Sequence, residues 1–144
     1  LQFNKVEMVQ FVHPDHSYEA WKQLIGHAET VLQKLGLPYR IVELCSADLS
    51  FAAARCCDIE LWAAGSKKWL EVSSCSNFED FRARRANIRF RDENGMRFVH
   101  TLNGSGVATP RLMIALIEHY QQADGSLRIP AVLHPYFGSD TIRS

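Results

Sequence analysis

Apolar and polar positions along the chain change period several times, and each change marks an expected element. From Gln2 to Val12 they alternate. A strand there puts Phe3, Lys5, Glu7, Val9 and Phe11 on one face and Asn4, Val6, Met8, Gln10 and Val12 on the other. Phe3 and Glu7 then look the same way. His13-Pro14-Asp15 ends the strand, because proline cannot donate to a ladder. From Ser17 the spacing becomes three and four: Trp21, Leu24, Ile25, Ala28, Val31, Leu32 and Leu35 predict a core-facing amphipathic helix of about five turns. Ser17 is its expected N-cap and Gly36 its stop.

Alternation returns from Tyr39 to Cys45, Arg55 to Trp62 and Lys67 to Ser76, the last two forming a hairpin across Ala63-Ala64-Gly65-Ser66. Ser46 to Ala54 is small and irregular, suited to a loop or one helical turn. A short helix is expected from Phe78 to Ala86, capped by Ser76 or Asn77. Ile88 to Arg91 and Met96 to Leu102 make a second hairpin whose Asn94-Gly95 is a strong turn signal. A final helix runs from Pro110 to about Gln122, with Leu112, Met113, Leu116, Ile117 and Tyr120 as its buried stripe and Gly125 at its end. The stretch Ser126 to Ser144 reads as an irregular wrap over the sheet. The expected fold is α+β, an antiparallel β-sheet backed by helices.

Composition narrows the class. With 144 residues, 47% of them hydrophobic, the chain matches one globular domain able to bury a continuous core. Sixteen basic and sixteen acidic residues cancel, so no global field attracts nucleic acid or an anionic membrane. Arg82, Arg84, Arg85, Arg89 and Arg91 are nonetheless crowded together, and read either as a local polyanion contact or as a solvated, salt-bridged surface. No apolar run is long enough to span a bilayer, and a cytoplasmic setting is expected. Cys45, Cys56, Cys57 and Cys75 lack metal-binding spacing, and Cys56 and Cys57 on one strand point to opposite faces. Free thiols are expected. The six scattered histidines are expected at the surface or satisfied within the core.

Candidate chemistry gathers in two places. On the first hairpin Asp58, Glu60 and Glu71 can converge on one sheet face, where carboxylates either sit in water or hold a divalent cation. Glu71 and Ser74 are an odd number of residues apart, so they meet one ligand only if the strand departs from regular geometry. The second place is Thr101 to Arg111. There Gly104-Ser105-Gly106 is expected to let the backbone turn closely, Thr109 to cap the final helix and Pro110 to occupy its first position. Arg111 then lies in the first turn, beside free backbone donors and the positive helix end, either as a solvated arginine or as part of an anion site.

QFNKVEMV, SSCSNFEDFRARRANIRFR and HTLNGSGVATPR, in that order, resemble the carboxy-terminal part of the catalytic domain of the bacterial-type seryl-tRNA synthetases, a family of class II aminoacyl-tRNA synthetases. The likeness extends to LGLPYR and HYQQADG and so covers essentially the whole chain. It implies ATP-dependent formation of seryl-adenylate, then transfer of serine to tRNA(Ser). By this likeness Phe3 stacks on adenine and Glu7 contacts serine. Glu71 and Ser74 hold the Mg2+ that bridges ATP phosphates, Asn103 and Ser105 line the serine pocket, and Arg111 meets the γ-phosphate.

The same likeness identifies the chain as the second half of motif 2 through motif 3. The tRNA-reading coiled-coil arm, motif 1 and the arginine-bearing first half of motif 2 lie outside it. The isolated polypeptide is therefore expected to be a truncated or cleaved piece with little or no aminoacylation activity, and the full-length enzyme a homodimer. Departures are Leu1-Gln2-Phe3 where the family carries His-Gln-Phe, Ser46 to Ala53 where it carries glycine-rich TGDMGFGA, and Arg55 to Glu60 where it carries KTYDLE. Two other classes fit the same residues: a noncatalytic synthetase-like binding module, and an amino acid:carrier-protein ligase.

Overall fold

The structure is a computed structural model and describes residues 2–143; the departure at Leu1 lies outside them. Five strands form one sheet in the order β1-β7-β4-β3-β2, every neighbouring pair antiparallel: β1 (Lys5–Val12), β2 (Tyr39–Glu43), β3 (Arg55–Ala63), β4 (Lys68–Asn77) and β7 (His100–Ala108). Helices α1 (Ser17–Leu35) and α3 (Thr109–Tyr120) cover one face. Between β4 and β7 in the chain come α2 (Phe81–Ala86) and a hairpin of β5 (Arg89–Asp92) with β6 (Gly95–Phe98). The expected α+β architecture is the one observed.

The core explains why only one face is covered. Trp21, Leu24, Ile25, Ala28, Leu32 and Leu35 of α1 meet Cys57, Ile59 and Leu61 of β3, Val72 and Cys75 of β4, Leu102 of β7 and Leu112 and Ala115 of α3. The Trp21 indole donates to the Cys75 carbonyl at 2.9 Å, so the largest core ring also fixes α1 on the central strand. The alternate residues of the same strands, Glu7, Asn103, Ser105, Ser74, Ser76, Cys56, Asp58 and Glu60, belong to the other, helix-free face.

Several expected boundaries move. Ser17 is the first residue of α1 and not its cap; its buried hydroxyl lies 3.3 Å from Asn77 Nδ2, which donates to it, and 2.8 Å from His100 Nδ1. Gly36 does stop the helix, at φ 66°, where Gly36 and Leu37 amides return to the Gln33 and Leu32 carbonyls. Thr109 is the first residue of α3, with Ala108 before it, and its hydroxyl donates to the Asn4 carbonyl across the sheet edge.

The larger correction concerns Gly104-Ser105-Gly106. No turn occurs there: β7 continues to Ala108, with Gly106 as the unpaired residue of a bulge between Ser105, opposite Glu7, and Val107, opposite Val6. The glycines serve close strand approach, since a Cβ on Gly104 would stand 2.5 Å from Cys75 Sγ and one on Gly106 3.1 Å from Val6.

On α3, Leu112 and Ala115 are buried, whereas Met113 and Ile117 are largely exposed. The expected stripe was too wide, because Met113 and Ile117 face the segment after α3 and not the sheet, and that segment does not wrap the sheet as expected. It forms β8 (Leu127–Arg128), α4 (His134–Phe137) and β9 (Thr141–Ile142), and sits beside α3. Met113, Ile117, Leu127, Leu133, Phe137 and Ile142 line a groove between them.

Candidate active site

The helix-free sheet face carries three adjoining groups of polar side chains. The first lies at β1 and β7, where the ladder sets Glu7 opposite Ser105. One Glu7 oxygen accepts from Asn103 Nδ2 at 2.7 Å, while the other accepts from Ser105 Oγ at 3.3 Å and sits 3.0 Å from Lys5 Nζ. A carboxylate, an amide and a hydroxyl thus converge, with donors and acceptors suited to a small ligand bearing both an ammonium and a hydroxyl. Phe3 stands apart from this ladder. It precedes β1 and is mostly exposed, so the strand expected from Gln2 begins only at Lys5 and does not carry Phe3.

The second group rests on a bulge. The β3–β4 ladder pairs Glu60 with Glu71 and Ile59 with Ser73, leaving Val72 without an opposite residue. Val72 joins the core, and Glu71 comes to share the open face with Ser74 and Asp58. The departure from regular geometry that the sequence demanded is therefore present, one residue before the small-residue run where it was expected. Of the three expected carboxylates, Glu60 is taken up by Arg40 at 2.5 Å, while Asp58 lies beside the Cys56 thiol at 3.7 Å. Glu71 is the one that meets the final helix.

That meeting is the third group. The β4–β7 ladder covers only Cys75 to Asn77 against Gly104 to Leu102. Beyond it the Glu71 carbonyl accepts from Arg111 Nη1 at 2.6 Å, and the Glu71 carboxylate lies 3.5 Å from the same nitrogen. Arg111 sits at the third position of α3, where backbone donors are free and the dipole is positive. Ser73 Oγ donates to the Ser105 carbonyl at 2.5 Å and ties the second group to the first.

Cys56 escaped the sequence reading. Its thiol lies 3.2 Å from both Ser74 Oγ and Ser76 Oγ, and burial pushes that thiol up. Cys57, on the opposite face, is pushed up to about 11, chiefly by burial. The alternation at Cys56-Cys57 was the available signal, since one thiol had to face the polar side. Among the described residues no three or more His, Cys, Asp or Glu side chains form a metal cluster.

Residues 1–120 match the family model described as tRNA synthetase class II core domain (G, H, P, S and T). The chain belongs to that family. It is 63% identical over 139 residues to the serine–tRNA ligase of Thermomicrobium roseum, which covers 95% of this chain and 31% of that protein. The serine–tRNA ligase of Thermodesulfovibrio yellowstonii is 60% identical, covering 99% and 34%. Among solved class II structures, seryl-tRNA synthetase from Pyrococcus horikoshii complexed with ATP superimposes with a TM-score of 0.94 at 45% identity, over 98% of this chain and 32% of that one. The cytoplasmic serine–tRNA ligase of Naegleria fowleri in complex with AMP gives 0.92 at 35%, over 99% and 34%. The chain spans about a third of the length of the curated relatives it matches.

Proposed function

We propose that the chain is the second half of motif 2 through motif 3 of a serine–tRNA ligase catalytic domain, and that its helix-free face takes ATP and serine for seryl-adenylate formation. The observation that carries this reading is the contact of Arg111 with Glu71, on the face that Glu71 shares with Ser74 through the Val72 bulge. A guanidinium at a helix start beside a carboxylate and a hydroxyl is a constellation for a triphosphate with its cation.

In this reading Arg111 meets the γ-phosphate and Phe3 stacks on adenine. Glu7, with Asn103 and Ser105, receives serine, the Ser105 hydroxyl meeting the substrate hydroxyl. Holding the serine carboxylate in line with the α-phosphate converts a bimolecular displacement into one within a single complex. The charge that spreads over the phosphates is then neutralised by groups already in place.

The donor set fits Mg2+, which takes one or two carboxylates and completes its shell with phosphate and water, so the lack of a dedicated protein cage is no objection. Glu71 and Ser74 would hold it, and it would supply charge neutralisation between phosphates. Transfer to tRNA(Ser), pairing as a homodimer and a cytoplasmic setting belong to the same proposal for the full-length enzyme. No described helix is long and apolar enough to cross a membrane.

Titrating the 144-residue chain with ATP and Mg2+ by calorimetry tests the reading. Binding is expected, and Arg111→Lys weakens it about tenfold or more, because an ammonium cannot reproduce the guanidinium fork. Wild-type affinity in Arg111→Lys, or no nucleotide binding by the wild-type chain, would sink it. Serine-dependent ATP–pyrophosphate exchange is expected to be undetectable with the chain alone.

A further inference from the structure

Arg111 reaches Glu71 only because α3 lies at one height along the β3–β4 hairpin, and the helix itself carries a second attachment to that hairpin. Glu118 lies seven residues after Arg111, two turns and about 10 Å along the same helix face. Its carboxylate is wholly engaged by the turn joining β3 to β4. Oε2 accepts from the Gly65 amide at 2.9 Å and the Ser66 amide at 3.2 Å, and Oε1 accepts from Ser66 Oγ at 2.6 Å.

The turn has been brought close to make these bonds. A Cβ on Gly65 would stand 3.0 Å from Glu118 Cδ, a space that only glycine leaves open without displacing the carboxylate. Between the two anchors on this face lies Ala115, fully buried, whose small side chain lets the helix lie close to the sheet. The Ser66 hydroxyl, and then the Ser66 and Gly65 amides, hold the Glu118 carboxyl below its usual range, so it is charged in neutral solution.

We propose that Glu118 is a positioning residue for Arg111: by pinning the far end of α3 to the β3–β4 turn, it fixes the height at which the guanidinium meets the Glu71 carbonyl. The helix start has no side-chain cap of its own. Its height is therefore set by Thr109 on Asn4 at one end and by Glu118 on the turn at the other. The positioning itself is a statement about the chain without ligand. Only its consequence for ATP rests on the function proposed above.

The experiment uses the 15N-labelled 144-residue chain and its Glu118→Ala and Ser66→Ala variants. Ser66→Ala removes only the shortest of the three bonds from an exposed turn, so it reports even if Glu118→Ala does not fold. The readout is the Arg111 guanidinium Nη protons, one of which is donated to the Glu71 carbonyl, assigned through Arg111→Lys, with the Ala115 amide as a control for general loosening of the helix.

Loss of a charge-assisted anchor is expected to raise hydrogen exchange at the Arg111 guanidinium about fivefold in Glu118→Ala, and less in Ser66→Ala, while the Ala115 amide keeps its protection. Arg111 exchange unchanged in the folded variants, or raised only in step with Ala115, would overturn the positioning role. ATP titration of the same samples separates the two proposals. A freed guanidinium with unaltered ATP affinity, or no ATP binding at all, leaves the positioning intact and removes Arg111 from the phosphate site.

Discussion

Single side chains at this site are held by neighbours that are individually replaceable, and Cys56 shows how far such replacement goes. Its thiol is the hydrogen-bond partner of both Ser74 and Ser76, and Ser76 is itself buried. Cys56→Val keeps the volume but strips a buried hydroxyl of its partner, and is expected to lower the free energy of unfolding by about 1–2 kcal/mol in urea titrations. Cys56→Ser restores a partner and is expected to lose less; equal losses in the two variants would mean that packing alone matters there. At this scale the sequence was partly readable. Glu7, Asn103 and Ser105 meet as a group, and Glu71 meets Arg111, all of them residues that the family likeness had singled out. The contacts of Cys56 were hidden because they depend on cross-strand register, which one chain's alternation leaves open.

Elements were more legible in kind than in their ends. The long amphipathic helix with its Gly36 stop and the β3–β4 hairpin stand where their periodicity and turn residues placed them, whereas the second hairpin turns at Glu93-Asn94 and its expected return strand, Met96 to Leu102, is divided between β6 and β7. Gly104 and Gly106 misled, because glycine marks both a tight turn and a close approach of backbones, and the two cannot be told apart locally. The structure makes the distinction testable. Gly104→Ala sets a methyl against Cys75 Sγ in a fully buried part of the core, and about 1–3 kcal/mol of stability should be lost to overpacking. Adding Cys75→Ala to the same chain should recover part of that loss, measured as a double-mutant cycle in thermal or denaturant unfolding. Were Gly104 needed for a turn, the second substitution would recover nothing.

Across the whole molecule, a buried polar network links the two layers. Ser17 at the start of α1 bonds Asn77 at the end of β4 and His100 at the start of β7, and Asn77 Oδ1 accepts from the Glu79 amide. Burial, against the pull of Glu79 and Asp80, keeps the His100 imidazole below its ordinary value. The folded chain therefore binds this proton less readily than the unfolded chain. The stability it contributes is complete above the ordinary imidazole range, near pH 6.5, and declines as pH falls through that range towards the folded value. Asp80, Asp92 and Glu118, each held low in the folded chain by hydrogen bonds, contribute a separate loss at more acid pH. His100→Gln should flatten the upper decline in a series of urea midpoints and leave the acid one unchanged. An unaltered upper slope would show that another group carries it.

The unpaired Val72 sets a length as well as a side. Because the ladder absorbs it, a chain without Val72 would still present Glu71 and Ser74 together, with one intervening residue in place of two. The extra residue is thus a spacer. It sets the interval between the Glu71 and Ser74 side chains on the open face, so under the function proposed above the size of the ion held there is written partly as a count of backbone atoms.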